Sequence, residues 1–136
     1  MLVADADVPG PVLNGLRAVE FPIVSFREIG APVRPDSALI EHMLSNSDCR
    51  VLVTLDKGIP SQRYVAQFSE QGLTVVLLRW KTSTTRDFEE MVSRILYDGY
   101  KWEQAAAESP HVISANRYRS RYRRVGDIPF LNAPTP

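Results

Sequence analysis

Apolar positions along the chain follow two rhythms. Leu2–Ala6, Ile23–Phe26, Val51–Leu55 and Leu73–Leu78 are short, mostly apolar runs, the pattern of strands buried on both faces. Between them, apolar residues recur at helical spacing. Val12, Leu13, Leu16 and Val19 predict a helix from Pro11 to about Glu20. Leu39, Ile40, Met43 and Leu44 predict another that opens at Asp36. Tyr64, Val65 and Phe68 predict a third, from about Ser61 to a stop at Gly72. Phe88, Met91, Val92, Ile95 and Leu96 form the strongest stripe, with Thr84 or Thr85 as its cap. That helix runs on toward Trp102 despite Gly99 and ends before Pro110.

The rhythm changes again near the C-terminus. In Arg117-Tyr118-Arg119-Ser120-Arg121-Tyr122-Arg123 the arginines occupy every second position, which predicts a strand with one basic face. His111–Ala115 is its expected partner, with a turn near Asn116. The whole order is β-α-β-α-β-α-β-α-β-β. Such alternation predicts an α/β fold of three layers, α/β/α, with a mainly parallel central sheet and a C-terminal β-hairpin. The domain is expected over 1–125, with 126–136 a flexible tail.

Composition narrows the class. A chain of 136 residues, 44% apolar and 24% charged, forms one domain with its own core. The single cysteine, Cys49, excludes an intrachain disulfide and a multi-cysteine zinc site, and beside an apolar strand it reads as a buried thiol. No apolar run has the length of a membrane span, and the first residues enter a strand at once, so a cytoplasmic location is expected. Net charge is zero, but residues 114–126 hold five arginines and no acid. An acidic body therefore carries a basic C-terminal segment.

Two of the predicted strands deliver an acid where they stop: Asp5 after Leu2-Val3-Ala4 and Asp56 after Val51–Leu55. In parallel α/β sheets, ligands bind outside the carboxyl ends of the strands. Asp7 follows two residues beyond Asp5, and Asp36 opens a helix that rises from the same edge. Carboxylates gathered in this way need a compensating cation, and hard oxygen donors suit Mg²⁺ or Mn²⁺. Turn formation and helix capping are the alternative roles for these acids. Lys57 either neutralises a phosphate or is solvated, and Gln62 and Arg63 either contact substrate or face water. Arginine alternating with tyrosine is the chemistry of phosphate contact and base stacking, or else protection of a sheet edge. His42 reads as a surface residue and His111 as part of the hairpin.

The succession Leu2-Val3-Ala4-Asp5-Ala6-Asp7-Val8-Pro9, Arg27-Glu28-Ile29-Gly30, Pro35-Asp36-Ser37-Ala38-Leu39-Ile40, Val51–Ile59 and Val75–Arg79 resembles the PIN-like nucleases, in particular their small toxin-type branch. The resemblance spans roughly residues 2–125. It implies a PIN-like fold, RNA cleavage dependent on Mg²⁺ or Mn²⁺, and a toxin paired with an antitoxin protein, with a homodimer by analogy. By position it makes Asp5, Asp36 and Asp56 the catalytic metal ligands, with Asp7 at a variable acidic or amide position. Lys57, Arg63, Arg117, Arg119, Arg121 and Arg123 are the expected RNA contacts. Many relatives have a second acid two residues after the position of Asp56, where this chain has Gly58. That departure leaves open a weakened module that binds RNA or protein. The order also resembles response-regulator receivers, but the lysine expected after a fifth strand is missing.

Overall fold

Val51-Leu52-Val53-Thr54 is buried at every position, as a continuous β-branched run requires when both sheet faces are covered. The computed structural model describes residues 1–30, 43, 48–56, 72–81 and 84–128. Six strands form one sheet: β1 (Leu2–Ala4), β2 (Ile23–Ser25), β3 (Val51–Thr54), β4 (Thr74–Leu78), β5 (His111–Ala115) and β6 (Ser120–Arg124). Their order is β2-β1-β3-β4-β5-β6. The first five are parallel neighbours, and β6 returns antiparallel to β5 with Ser114 opposite Arg121. The fold is thus α/β with a mainly parallel sheet and a C-terminal hairpin.

The two faces bury separate clusters. On one, Leu2, Ala4, Val51, Val53, Val76, Leu78, Ile113 and Ala115 meet Val12 and Leu16 of helix α1 (Gly10–Ala18) and Met91, Ile95 and Trp102 of helix α2 (Thr85–Glu108). Burying each large side chain contributes about 1.5–3 kcal/mol. The opposite face carries Val3, Leu52 and Val75 with Phe26, Met43, Cys49 and Leu73. Cys49 is 2% exposed, and burial pushes its thiol pKa up, as expected of a packing residue. The helices expected around 36–44 and 61–72 lie outside the described residues, except for helical Met43 and for Gly72, the expected stop, which has a left-handed φ of 74°.

Helix ends follow local chemistry. Thr84 caps α2 by accepting from the Asp87 N–H at 3.1 Å, and Asp87 accepts from the Thr84 N–H in return. At the end of α1, Glu20 takes a left-handed φ of 59°, so the helix stops at Ala18 rather than reaching Glu20. Gly99 is retained inside α2 because a Cβ there would stand 2.5 Å from the Phe21 ring. Helix α2 continues past Trp102 to Glu108.

Two expectations need correction. Leu96 is exposed on α2 rather than part of its buried stripe, which runs through Met91, Ile95, Asp98 and Trp102. The arginine strand begins at Ser120, three residues later than its alternation predicts. Asn116 is the cause: its side-chain oxygen accepts from the N–H groups of Tyr118 and Arg119 at 2.8 and 3.0 Å, holding 116–119 in a turn. Arg117 and Arg119 therefore belong to the turn. After β6, Val125–Asp127 form a 3₁₀ turn, with Val125 and Ile128 buried.

Candidate active site

Strand order fixes where a site can form. From β1 the chain steps outward to β2, then returns to place β3 on the other side of β1. The crevice between the carboxyl ends of β1 and β3 is therefore the topological switch point of the sheet. Asp5, Asp7 and Asp56 all stand there. Pairing of β1 with β3 extends one step past Ala4, because the Asp5 N–H donates to the Val53 carbonyl at 2.9 Å. The Val8 N–H then donates to the Asp5 carbonyl at 3.1 Å, turning the chain so that Asp7 faces back over β3.

Thr54 joins the three acids. Its hydroxyl lies 2.8 Å from Asp5 Oδ2 and 3.3 Å from Asp7 Oδ2, and it accepts from the Asp56 N–H at 3.0 Å. One hydroxyl hydrogen cannot serve both carboxylates at once. The shorter contact assigns it to Asp5. Asp7 is held instead by the Leu55 N–H, 3.1 Å from its Oδ1, while Asp5 Oδ1 accepts from the Ala6 N–H at 2.7 Å. Burial, with smaller contributions from the nearby charges of Asp5 and Asp56, raises the Asp7 carboxyl above its ordinary 3.8; the Leu55 and Thr54 hydrogen bonds oppose that rise. Thr54 is fully buried and was not foreseen as a site residue. Its signal was a hydroxyl at the last position of an otherwise apolar strand.

The donors here are carboxylates and a hydroxyl, a hard oxygen set whose chemistry fits a divalent cation. A cation would also offset the charges of Asp5 and Asp56 that add to the effect of burial on Asp7. Among the described residues, no three acidic, histidine or cysteine side chains close on a single ion position. Asp36 lies outside the described residues, as do Lys57, Gly58, Gln62, Arg63 and His42.

The expected RNA-contacting arginines divide into groups. Arg121 and Arg123 alternate onto the sheet face that bears Leu52 and Val75, and both are exposed. Arg117 stacks over Tyr118, its carbon 4.9 Å from the ring centre, and with Arg119 occupies the turn before β6. That turn is at the same end of the sheet as the acids, since β6 runs opposite to its neighbour. His111 is buried at the other end, its Nδ1 2.7 Å from the Ser109 carbonyl. A groove of about 460 Å³, lined by Arg86, Glu89, Glu90, Arg94, Tyr97 and Arg117, lies along α2 and includes none of Asp5, Asp7 and Asp56.

Behind the turn is a second network that the sequence reading missed. Asp98 of α2, 5% exposed, accepts from the Ser120 hydroxyl at 2.6 Å and from Arg94 Nη1 at 3.2 Å. Arg94 also donates to the carbonyls of Asn116 and Arg117, each at 3.1 Å. Trp102 Nε1 donates to Ser120 Oγ at 2.9 Å. Helix α2 thereby fixes the turn and the start of β6.

Compared with known proteins, the chain matches no family model, no curated protein and no solved structure. No helix among the described residues is long and apolar enough to cross a membrane.

Proposed function

We propose that this chain is a PIN-like ribonuclease that uses Mg²⁺ or Mn²⁺ to cleave RNA by attack of water on phosphorus. The observation that carries the reading is the meeting of the Asp5 and Asp7 carboxylates at the Thr54 hydroxyl, which also accepts from the backbone N–H of Asp56 at the switch point. The metal would be held by Asp5, Asp7 and Asp56 together with Asp36. When bound, it supplies a water of lowered pKa and a charge that offsets the phosphate. Thr54 orients the Asp5 carboxylate, and the Leu55 N–H fixes Asp7, so the chain presents acids whose positions are set before substrate arrives. The arginines of 117–123, with Lys57 and Arg63, supply positive charge that the acidic edge lacks for binding a polyanion. The resemblance of the chain to small toxin-type PIN-like proteins supports a toxin role with an antitoxin protein as partner.

The test is cleavage of a labelled single-stranded RNA with Mn²⁺ or Mg²⁺. EDTA abolishes it, and Asp5→Asn and Asp56→Asn lower it at least about 100-fold, the scale of losing a group that organises the reacting charges. Undiminished cleavage by both variants refutes the mechanism. A weakened binding module is the second reading, favoured by Gly58 and by the lack of a closed three-ligand set among the described residues. It predicts salt-sensitive RNA binding with no metal-dependent turnover. A receiver-like phosphoacceptor shares the β2-β1-β3-β4-β5 order, but Asn116 rather than lysine follows β5, and a small phosphodonor is expected to leave the chain unlabelled.

A further inference from the structure

Pairing registers place Thr54, Leu77, Ser114 and Arg121 in one row across β3, β4, β5 and β6. Residues aligned in such a row project to the same face. Arg121 is therefore on the face of the sheet that bears Thr54, three strand spacings away, or about 14 Å. Arg123 follows on the same face, opposite Val112. Between the acids and β6 stands Arg79, one residue past β4. Its N–H continues the pairing to the Ala115 carbonyl at 2.8 Å, and its Nη1 donates to Ser114 Oγ at 3.3 Å. That contact uses one of five guanidinium donors and leans the side chain toward Arg121.

This part of the sheet has one sign of charge. Residues 74–81 and 111–124 contain no acid. Arg79, Arg121 and Arg123 are exposed, and none of them is in an ion pair with another described residue. Arg124 has the opposite parity on β6 and points to the other face, the side on which Ser120 meets α2. Arginines spaced two apart on a strand are roughly 6.8 Å from one another, a step suited to contacting successive phosphates of an extended strand.

We propose that Arg79, Arg121 and Arg123 form a phosphate track that leads single-stranded RNA from the exposed arginines of β6, past Arg79 at the carboxyl edge of β4, to the acids of β1 and β3. Arg79 is the link between the two halves of the site, and Arg124 takes no part. The assignment rests on the nuclease reading for its direction, but the track binds nucleic acid whether or not cleavage follows.

The experiment uses the full chain in EDTA with a fluorescein-labelled oligo(U) of about a dozen nucleotides, read by anisotropy across a salt series. Each phosphate contact on a single strand contributes about 0.7 to the slope of log affinity against log salt. Arg79→Ala, Arg121→Ala and Arg123→Ala each flatten the slope by about that amount, while Arg79→Lys keeps most of it and Arg124→Ala changes nothing. All four sites are at the surface, and circular dichroism checks that each variant folds. The track is overturned if the wild type binds while the three alanine variants keep its slope. It is overturned equally if Arg124→Ala flattens the slope as much as they do, or if the wild type does not bind. Absence of Mn²⁺-dependent cleavage alongside the expected slopes removes the nuclease reading and leaves the track standing.

Discussion

Replacing Asp98 tests whether α2 holds the turn and β6 in place. The carboxylate is 5% exposed and receives hydrogen bonds from Ser120 at 2.6 Å and Arg94 at 3.2 Å, with Lys101 Nζ 3.7 Å away. Removing one partner of a buried ion pair costs about 3–5 kcal/mol, because the other charge stays buried. Arg94 keeps its bonds to the Asn116 and Arg117 carbonyls, and its side chain is 16% exposed, which puts Asp98→Ala at the lower end, about 3 kcal/mol. Asp98→Asn preserves shape and the acceptor for Ser120 but loses the charge, for about 1–1.5 kcal/mol. Urea unfolding followed by tryptophan fluorescence reads both, since Trp102 is fully buried and bonded to Ser120. Combining Asp98→Ala with Ser120→Ala costs less than the two separate losses together, by about 1 kcal/mol, because they share a bond. A loss below about 1 kcal/mol for Asp98→Ala, or strict additivity with Ser120→Ala, refutes this account of the network.

The remaining predictions concern packing, protonation and metal. Gly99→Ala gains about 1 kcal/mol of helix propensity but places a methyl group 2.5 Å from the Phe21 ring, for a net loss of about 1–2 kcal/mol in the same unfolding assay; a more stable variant refutes the close approach. The Asp7 carboxyl is raised above 3.8, so its contribution to stability is present below that pH and is lost as pH rises through the folded value. Asp7→Asn consequently gains on the wild type as pH increases from 3.8 toward neutrality, and parallel unfolding midpoints across that window count against it. If the acids hold a divalent cation, Mn²⁺ raises the melting temperature of the wild type and does so less for Asp5→Asn; equal shifts in both refute ligation by Asp5.

Much of this fold was legible because local pattern and burial coincide. The runs at 2–4, 51–54 and 74–78 are buried at every position, as continuous apolar strands must be. The strand order is a different matter, since it depends on crossovers and long-range pairing that no local window contains. Asp5 and Asp56 could be placed at a common edge because each follows a parallel strand. Asp98 and Thr54 were missed for a shared reason: each is a polar residue at a core-facing position. Met91, Ile95, Asp98 and Trp102 follow one helical stripe, and Thr54 completes Leu52-Val53-Thr54 in a strand with no exposed position. A buried polar group must find a partner, so a polar residue in an apolar stripe is itself a signal. The start of β6 was misread because alternation of arginine and tyrosine outweighed Asn116, whose turn chemistry governs the next three residues.

A net charge of zero also concealed how the sheet is organised. Acids occupy the end of the sheet over β1 and β3, and arginines the portion formed by β4, β5 and β6. Direct pairing of these acids with the β6 arginines is prevented by the sheet itself, because Thr54 and Arg121 are in one row with two strands between them. At that separation of about 14 Å, longer than the Debye length at physiological salt, the two regions act nearly independently. If the chain binds RNA as proposed, the strand meets a basic surface on β6 that these acids do not neutralise. Asp56 has its meaning in this arrangement through Thr54, whose single hydroxyl ties its backbone to Asp5 and sets the acidic end against the basic one.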